Sequence, residues 1–379
     1  MDDRRQKPPG QVPIRARQVK EVLQPFARKR LLLPMGLFLL DVSGYAALVL
    51  GAVAMPAIWQ RVLCGTLAGL ATALLFIVGH DACHGSFTRY KWFNEVLGRI
   101  AFLPSLHAFS LWNLGHNQIH HRFTNLKETD YVWRPFSKEE FDGLSPVRRR
   151  LERLYRSTLG LGLYYGVEIW WKKMVFPNRH EVVDRKRLYV FDSCLVAAFA
   201  ALQIGVVMWL GFKVGSPWYA SLGFGVALPF AVWNWLMGFV IFQHHTHPSV
   251  AWFEDSEEWT FWESQIEETT HVRFPWLAGL LLHNIMEHTA HHAFTGIPLY
   301  QLPKAQSALE ASFQGRVKVV PWTMSGFLDA VGRCKLYDYQ RHYWTDFEGN
   351  ETSNRTVNLP VLDSLVGRIA TKWDRAGGY

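Results

Sequence analysis

The sequence predicts an all-α membrane protein: four transmembrane helices, arranged as two hairpins, support a cytoplasmic helical cap that holds a di-metal histidine site. The first observation is a composition of 49% hydrophobic and only 19% charged residues in 379, against about 25% charged residues in an average soluble domain. The second is a set of sixteen histidines, most of which lie in short groups. This composition excludes a disordered chain, and four cysteines are too few for a secreted disulfide framework.

Four apolar stretches are long enough to cross a bilayer, which takes about 20 helical residues. They cover residues 31–55, 62–79, 190–212 and 218–243. Within them, Asp41 and Asp192 carry the only formal charges. Short loops join the first stretch to the second and the third to the fourth, so we expect two helical hairpins.

These spans divide the chain into six parts. We expect a basic arm (1–30), a first hairpin (31–79) and a section with two histidine groups (80–189). A second hairpin (190–243), a section with the last histidine box (244–345) and a tail (346–379) follow. Two further apolar stretches, 96–114 and 274–286, are predicted to lie at the membrane interface. The first contains Arg99 and Pro104, and the second is too short to span.

The distribution of basic residues predicts the orientation. Lysine and arginine number 9 before the first span, 18 in the central section and 11 in the last, while the hairpin loops hold only Arg61 and Lys213. Because basic residues concentrate on the cytoplasmic side, we expect a multi-pass protein of a bacterial inner membrane with both termini and the histidine groups in the cytoplasm. The basic arm is either a solvated tail or a contact for anionic lipid headgroups.

Eleven of the histidines form four groups. The groups are His80 and His84; His116, His120 and His121; His244, His245 and His247; and His288, His291 and His292. Residues three or four apart share one face of a helix, so His80 is expected beside His84, and His116 beside His120. Likewise, His288 is expected to pair with His291 and His292. Imidazole commonly binds iron, zinc and copper, and about nine imidazoles at one membrane face could hold two metal ions.

Other histidine-based sites agree less well with the sequence. A haem bundle would need histidines inside the spans, and a structural zinc site would favour cysteines, of which only Cys83 is near. A carboxylate di-iron bundle needs repeated Glu-x-x-His pairs, and only Glu268 and His271 match. A metal transporter or sensor is an alternative from another class, although transport calls for ionisable ligands near the midplane. The isolated His107, His180 and His342 are interpreted as structural or solvated, and no feature predicts a nucleic-acid partner.

Three motifs carry a resemblance to a known family. HDACH at 80–84, HNQIHH at 116–121 and HTAHH at 288–292 resemble the three histidine boxes of the integral-membrane fatty acid desaturases and hydroxylases, over about residues 30–340. Further segments resemble the acyl-lipid Δ12 (omega-6) desaturases: Thr124-Asn125 with Asp130, Trp133 and Pro135; residues 242–248; and His283-Asn284-Ile285. Two details depart from that branch. Ala82-Cys83 stands where Cys-Gly is common, and the second box has three residues between its first histidine and the pair, where two is also common.

The resemblance implies a non-haem di-iron oxidoreductase that uses O₂ and two electrons to form a cis double bond in the acyl chain of a membrane lipid, at Δ12 of a monounsaturated chain. It assigns as iron ligands His80, His84, His116, His120, His121, His288, His291 and His292, with His245 as the ninth. Asp81, His244, His271 and His283 are expected to orient these ligands. The main alternative is an acyl-chain, alkane or carotenoid hydroxylase on the same scaffold.

The electron donor is expected to be a separate protein of the ferredoxin or cytochrome b5 type. The sequence has no His-Pro-Gly-Gly haem motif, because His247-Pro248 is followed by Ser249-Val250. A formal charge of +8 would suit an acidic donor, and lipid contact explains it equally well.

Overall fold

The computed structural model describes residues 16–177 and 186–357. His180 and the outer parts of the predicted arm and tail lie outside these ranges. The helices are α1 Ala16–Leu23, α2 Leu32–Ala54, α3 Ile58–Cys83, α4 Lys91–Phe102, α5 Phe109–Trp112, α6 Lys138–Asp142, α7 Pro146–Tyr155, α8 Leu161–Tyr164, α9 Lys186–Lys213, α10 Trp218–Leu222, α11 Leu228–His245, α12 Phe261–Ile266, α13 Trp276–Leu281, α14 His288–Ala293, α15 Leu302–Ser312 and α16 Met324–Arg333.

Three of these helices continue as π-helix, in which the hydrogen bonds run from residue i to i+5. The π-helical segments are Asn113–His120 after α5, Tyr165–Val175 after α8 and Gly223–Ala227 between α10 and α11. Short 3₁₀ turns cover Gln24–Phe26 and Leu299–Gln301. The last π-helical segment joins α10 and α11 into one long element.

Within the described residues, four helices are long and apolar enough to cross a membrane, which confirms the predicted helical class with four spanning helices. They are Leu32–Ala54, Ile58–Cys83, Arg187–Lys213 and Trp218–His245. Two of them end later than the apolar stretches, because α3 continues to Cys83 within the first histidine box and α11 runs to His245. The histidines expected just beyond the spans therefore occupy the last helical turns.

The helix α3 is the centre of the bundle. It packs against α2 in the first hairpin and against α11 in the second, and 61% of its most apolar 18-residue stretch is buried. In the corresponding stretch of α9 only 11% is buried, and large side chains such as Trp209 and Phe212 are exposed. An apolar helix exposed in this way is suited to lipid contact.

Neither of the two additional apolar stretches forms a spanning helix. The helix α4 ends at Phe102, and the chain turns before α5 begins at Phe109. The helix α13 has only six residues, and its Trp276, Leu277 and Leu281 are exposed. A short helix with an exposed apolar surface is the form expected for a segment at the membrane interface.

Both acidic residues inside the spans have partners. The Asp41 carboxylate contacts His283 Nε2 at 2.7 Å. The Asp192 carboxylate accepts hydrogen bonds from Arg99 Nε at 2.8 Å and from the Ser110 backbone N–H at 2.9 Å. Charged groups at membrane depth are costly and are found with partners. Each pair ties a spanning helix to a segment that leads into a histidine box.

Four short strands accompany the helices and were not predicted from the sequence. Strands β1 Thr270–Arg273 and β2 Lys318–Pro321 pair in parallel. Strands β3 Leu336–Asp338 and β4 Tyr343–Thr345 pair antiparallel. With three or four residues each, they are too short for a clear alternation of apolar and polar residues.

A glycine allows α11 to approach the start of α8 closely. A Cβ atom at Gly238 would lie 2.2 Å from the backbone oxygen of Leu161. Small residues at such crossings let helix backbones pack together within a membrane. This crossing holds α11 in place below its terminal histidines.

We expect Gly238→Ala to destabilise the protein by about 1–3 kcal/mol, because the added methyl group overlaps backbone that must move. The measurement is the apparent Tm of purified protein in detergent. The control is Gly205→Ala in α9, where no atom of the described residues lies within 4 Å of the added Cβ. That change should be neutral or stabilising by up to about 1 kcal/mol. An equal Tm for both variants would contradict the close packing.

Candidate metal centre

All nine predicted ligands lie together at one end of the helical bundle. His80 is in the last turn of α3, and His84 directly follows that helix. The second box lies on and just after the π-helical segment after α5, His245 ends α11, and the third box forms α14. Because the spans hold the ends of α3 and α11 side by side, histidines up to 212 positions apart in the sequence become neighbours.

Five of these residues form one cluster, here named the five-histidine cluster: His80, His84, His116, His121 and His291. Their ligand nitrogens all lie within 4.8 Å of one another. The Nε2 atoms of His80 and His116 are 2.8 Å apart, and those of His116 and His121 are 3.0 Å apart. A metal–imidazole bond is about 2.0–2.1 Å for zinc, so one ion between such nitrogens would require only small side-chain shifts.

A second cluster, here named the four-histidine cluster, comprises His120, His245, His288 and His292. The ligand nitrogens of His120, His245 and His292 lie within 4.8 Å of one another, and His288 Nε2 is 2.9 Å from His245 Nε2. The two clusters adjoin, because the rings of His121 and His292 stack with centroids 4.2 Å apart. The arrangement could therefore hold two neighbouring metal ions.

The pairing within the second box differs from the prediction. Spacing predicted His116 and His120 on one helical face, but His116 lies with His121 and His120 belongs to the other cluster. The cause is the π-helix, in which the His121 N–H donates to the His116 carbonyl at 2.9 Å. The wider π-turn brings His121, five residues later, back beside His116, whereas an α-helix would place it about 140° away.

The third box also divides between the clusters. His291 points into the five-histidine cluster, whereas His288 and His292 belong to the other. The predicted pairing of His288 with His292 is present, with ring centroids 4.3 Å apart. The predicted pairing of His288 with His291 is wrong, since their centroids are 5.9 Å apart and they face different clusters. On an α-helix, His291 lies about 60° to one side of His288 and His292 about 40° to the other, so the two flank His288 on opposite sides.

Several imidazole nitrogens in the clusters have no hydrogen-bond partner within residues 16–177 and 186–357. They are Nδ1 of His80, His121, His245 and His288, Nε2 of His84 and His292, and both nitrogens of His291. A buried polar atom without a partner costs about 1–3 kcal/mol. A metal ion would satisfy Nε2 of His84 and His292 and one nitrogen of His291, so these residues fit this kind of group.

Burial also keeps these rings in the form that binds metals. It lowers the pKa of His291 to about 3. Burial, reinforced by neighbouring histidines, lowers the pKa of His116 and His292 well below the ordinary value. A neutral imidazole keeps one nitrogen lone pair free, so these three histidines present neutral donors at physiological pH.

Asp130 is the residue best placed to orient a candidate ligand. Its carboxylate oxygens both lie 3.0 Å from His120 Nδ1. The backbone N–H groups of Asn125 and Val132 hold this carboxylate at 2.9 and 3.0 Å. A carboxylate behind a histidine fixes the ring and its tautomer so that the other nitrogen faces the metal. Asp130 appeared in the sequence only as part of a resemblance, with no role.

Gln265 holds His292 in the same way and was not anticipated. Its side-chain oxygen is 2.8 Å from His292 Nδ1, and the Thr124 hydroxyl is 3.3 Å from the same nitrogen. Gln265 lies in α12, 27 positions before His292, and no spacing rule connects the two. Only the folded chain brings this glutamine to the site.

The four residues predicted to orient ligands have different surroundings. His244 stacks on His288 with centroids 3.6 Å apart. An Asp81 carboxylate oxygen is 3.9 Å from His80 Nδ1, and the carboxylate accepts a hydrogen bond from the Leu299 N–H at 2.8 Å. Both residues thus border the clusters.

The other two predicted orienting residues bond carboxylates instead of candidate ligands. His271 lies between Glu287, at 2.8 Å, and Glu310, at 2.5 Å. His283 bonds Asp41. Glu287 directly precedes His288, so these histidines act on the third box through the backbone that leads into it.

The isolated histidines of the described chain lie outside both clusters. His107 is buried and contacts the Ser105 carbonyl at 2.9 Å and the Tyr165 hydroxyl at 3.0 Å. His247, although part of the third sequence group, contacts the Ser249 hydroxyl. His342 forms an ion pair with Glu258 at 3.2 Å.

A narrow apolar cavity of about 80 Å³ ends at the clusters. Its lining runs from histidines, including His80, His120 and His245, to apolar side chains of the membrane helices. Among these are Ala73, Ile77, Met237 and Val240. The cavity therefore extends from the candidate metal positions into the level of the bilayer.

Comparison with known proteins agrees with this geometry. The sequence model of the family described as "fatty acid desaturase" matches residues 56–323. This match contains all three histidine boxes and both spanning helices that carry histidines at their ends. The chain belongs to the fatty acid desaturase family.

Individual members of the family give the same result. The "sn-1 oleoyl-lipid 12-desaturase" of Picosynechococcus is 29% identical over 78% of this chain and 83% of its own length. A protein of the same name from Arthrospira platensis is 31% identical over 65% of this chain and 66% of its own length. The chloroplastic "omega-6 fatty acid desaturase" of Spinacia oleracea is 26% identical over 86% of this chain and 70% of its own length. As a desaturase, the chain is a membrane oxidoreductase that acts on fatty acyl chains with a metal-dependent site.

We expect Asp130→Asn to lower metal affinity about 10–100-fold, because removing a carboxylate that bonds a ligating histidine typically has an effect of this size. The amide matches the carboxylate in size but removes the negative charge that faces His120. The measurement is the metal retained per protein across a chelator titration. The control is Asp329→Asn, an exposed residue paired with Arg333, which should retain metal like the parent protein. Equal retention in both variants would contradict the role of Asp130.

Proposed function

We propose that this desaturase introduces a cis double bond at Δ12 of a monounsaturated acyl chain in a membrane lipid, with O₂ as co-substrate. The observation that carries the proposal is the apolar cavity that begins within the spanning helices and ends at two adjoining histidine clusters. The Δ12 position is supported by the names of relatives that align with most of the chain.

The metal positions are proposed to hold two iron ions. The ligands would be His80, His84, His116, His121 and His291 for one ion, and His120, His245, His288 and His292 for the other. Iron suits a donor set made only of imidazoles and leaves room for O₂. Bound there, the two ions would supply the redox chemistry that O₂ needs to remove hydrogen from a methylene group.

The protein's own part in the reaction is to position the acyl chain. An unactivated methylene group offers no proton that a side chain could remove at neutral pH, so acid–base residues would have no role in its activation. Apolar walls formed by Ile77, Met237 and Val240 instead bury the chain and exclude water. Selectivity for one bond then depends on how far the chain extends past the histidines before it meets the end of the cavity.

The Trp112 ring helps to shape the region where the cavity meets the metal centre. It stacks on the His116 imidazole with centroids 4.9 Å apart and also lines the cavity. Tyr131 lines the same region. These rigid rings would hold the reacting segment of the acyl chain against the five-histidine cluster.

The cellular setting is part of the proposal. We infer that both termini and the metal centre face the cytoplasm of a bacterial inner membrane, supported by 38 of the 40 lysines and arginines lying outside the two hairpin loops. An even number of spans would then leave all three histidine boxes on one side. The electrons would come from a separate ferredoxin or cytochrome b5-type donor.

The proposal is tested by expressing the chain in a host that supplies monounsaturated lipids and ferredoxin. We expect new Δ9,12 dienes when double bonds are located by mass spectrometry. His84→Ala and His291→Ala should abolish these products and lower the iron content, because each removes a donor from the five-histidine cluster. The control is His247→Ala, since His247 contacts Ser249 outside the clusters, and it should retain products and iron.

Different products would correct different parts of the proposal. Hydroxylated acyl chains would replace desaturation by the hydroxylase alternative. Dienes with the new double bond at another position would support desaturase activity but overturn the Δ12 assignment. Full activity in His291→Ala would overturn the ligand assignment.

We expect Ala73→Phe to shift the products toward shorter acyl chains while iron content stays unchanged. Ala73 lines the cavity seven residues before His80, which is about 10 Å along the helix, so an aromatic ring there shortens the space beyond the metal centre. The measurement is the ratio of C16 to C18 products. The control is Ala198→Phe on the exposed face of α9, which should leave the ratio unchanged. An unchanged ratio in Ala73→Phe would contradict this path for the acyl chain.

A further inference from the structure

A second large cleft lies on the other side of the first histidine box. It has a volume of about 410 Å³ and is lined by the end of α3, the starts of α4 and α9, and α5 with its π-helical continuation. It reaches His84 but, among the described residues, shares no lining residue with the acyl cavity. The wall from Ala82 to His84 separates the two spaces.

Positive charge dominates this cleft, here named the basic cleft. Its charged lining residues are Lys29, Arg89, Lys91, Arg99 and Glu95. Arg99 is paired with Asp192 at 2.8 Å, so the pair contributes little net charge. The other three basic residues outnumber the single glutamate, which leaves an excess of positive charge in a concave surface.

Two helix starts add to this potential. Lys91 begins α4, and Leu188 and Tyr189 lie near the beginning of α9. Neither helix has an acidic residue in its first turn. Among the described residues, no first-turn carboxylate compensates the partial positive charge at either helix N-terminus, and this charge favours an anion at this position.

We infer the level of the basic cleft from the ends of two spanning helices. The helix α9 begins at the edge of the cleft and α3 ends there, which corresponds to the level of the lipid headgroups. At the start of α4, Trp92 is 68% exposed and Tyr90 is 38% exposed, and exposed aromatic residues of this kind mark the interface of membrane proteins. A phosphate group of a lipid would meet the lysine and arginine side chains at this height.

We propose that the basic cleft binds the phosphate group of an anionic membrane phospholipid. Phosphate offers several acceptor oxygens, which match the donors of Arg89, Lys91 and Lys29. The size of the cleft suits a headgroup better than the surface of a protein partner. The lipid would lie against α4 and α9 and hold them beside the first box, apart from the lipid whose acyl chain enters the cavity.

One contact shows how such a lipid would brace the metal centre. The Lys29 ammonium donates to the Gly85 carbonyl at 2.7 Å, directly after His84. Lys29 thus connects the segment after α1 to the turn that ends the first box. A phosphate beside Lys29 and Lys91 would hold both sides of this turn. This proposal depends on neither the desaturase reaction nor the metal.

The test compares lipid retention in two charge-matched variants. The full chain is reconstituted in nanodiscs of phosphatidylcholine with a minor fraction of phosphatidylglycerol, released into detergent and examined by native mass spectrometry. Arg89→Gln/Lys91→Gln should retain phosphatidylglycerol at least about tenfold less than the parent protein, since two charged contacts are lost. The control is Arg149→Gln/Arg150→Gln on α7, which removes the same charge elsewhere and should retain lipid normally.

Several outcomes would overturn the proposal. Equal phosphatidylglycerol retention by the parent protein and Arg89→Gln/Lys91→Gln would remove its basis. Stabilisation of the parent protein, but not of this variant, by millimolar inorganic phosphate in pure phosphatidylcholine nanodiscs would assign the site to free phosphate. Unchanged lipid retention with weaker binding of an acidic ferredoxin would make the cleft a docking site for a protein. Because none of these measurements uses enzymatic activity, failure of the Δ12 assignment would leave the result intact.

Discussion

The fold depends on bringing nine imidazoles into one volume at the end of the helical bundle. Several of their nitrogens lack hydrogen-bond partners among the described residues, and each such buried atom costs free energy unless something else binds it. The histidines that carry these nitrogens come from four segments of the chain. The packing of α2, α3 and α11 must keep these segments within a few ångströms of one another. A protein of this kind is therefore expected to gain stability from its metal, since binding to the folded state alone shifts the folding equilibrium.

The acidic residues inside the spans explain how the membrane helices fix a site at their ends. Asp192 in α9 holds the Ser110 N–H, a few residues before the second box, and Asp41 in α2 holds His283, just before the third. Both interactions lie in a low-dielectric environment, where a charge is retained only with a partner and where that partner is held strongly. Lateral movement of either helix would thus displace a histidine box. The spans act as rigid supports for side chains of the catalytic region.

Features that repeat or persist along the chain were predictable from the sequence. The four spans follow from long apolar runs, and the nine histidines follow from their grouping. Asp130 and Gln265 could not be assigned roles from spacing, because their partners are reached through the tertiary fold. The division of the third box, with His291 in one cluster and His288 and His292 in the other, depends on where α14 lies between its neighbours. The basic cleft likewise combines Lys29, Lys91 and Tyr189 from segments with no common pattern.

The π-helix after α5 accounts for an unusual feature of the second box. This box has three residues between its first histidine and the histidine pair, and an ordinary α-helix would rotate the second member of the pair, His121, away from His116. Hydrogen bonding from i to i+5 absorbs the additional residue, so His116 and His121 meet with their Nε2 atoms 3.0 Å apart. His120 then turns toward Asp130 and the other cluster.

The first box carries Ala82-Cys83 where Cys-Gly is common, and this difference removes no candidate ligand. Ala82 packs toward Gly98 of α4, away from the imidazoles. Local helix geometry thus preserves the two metal positions while the spacing of the motif changes.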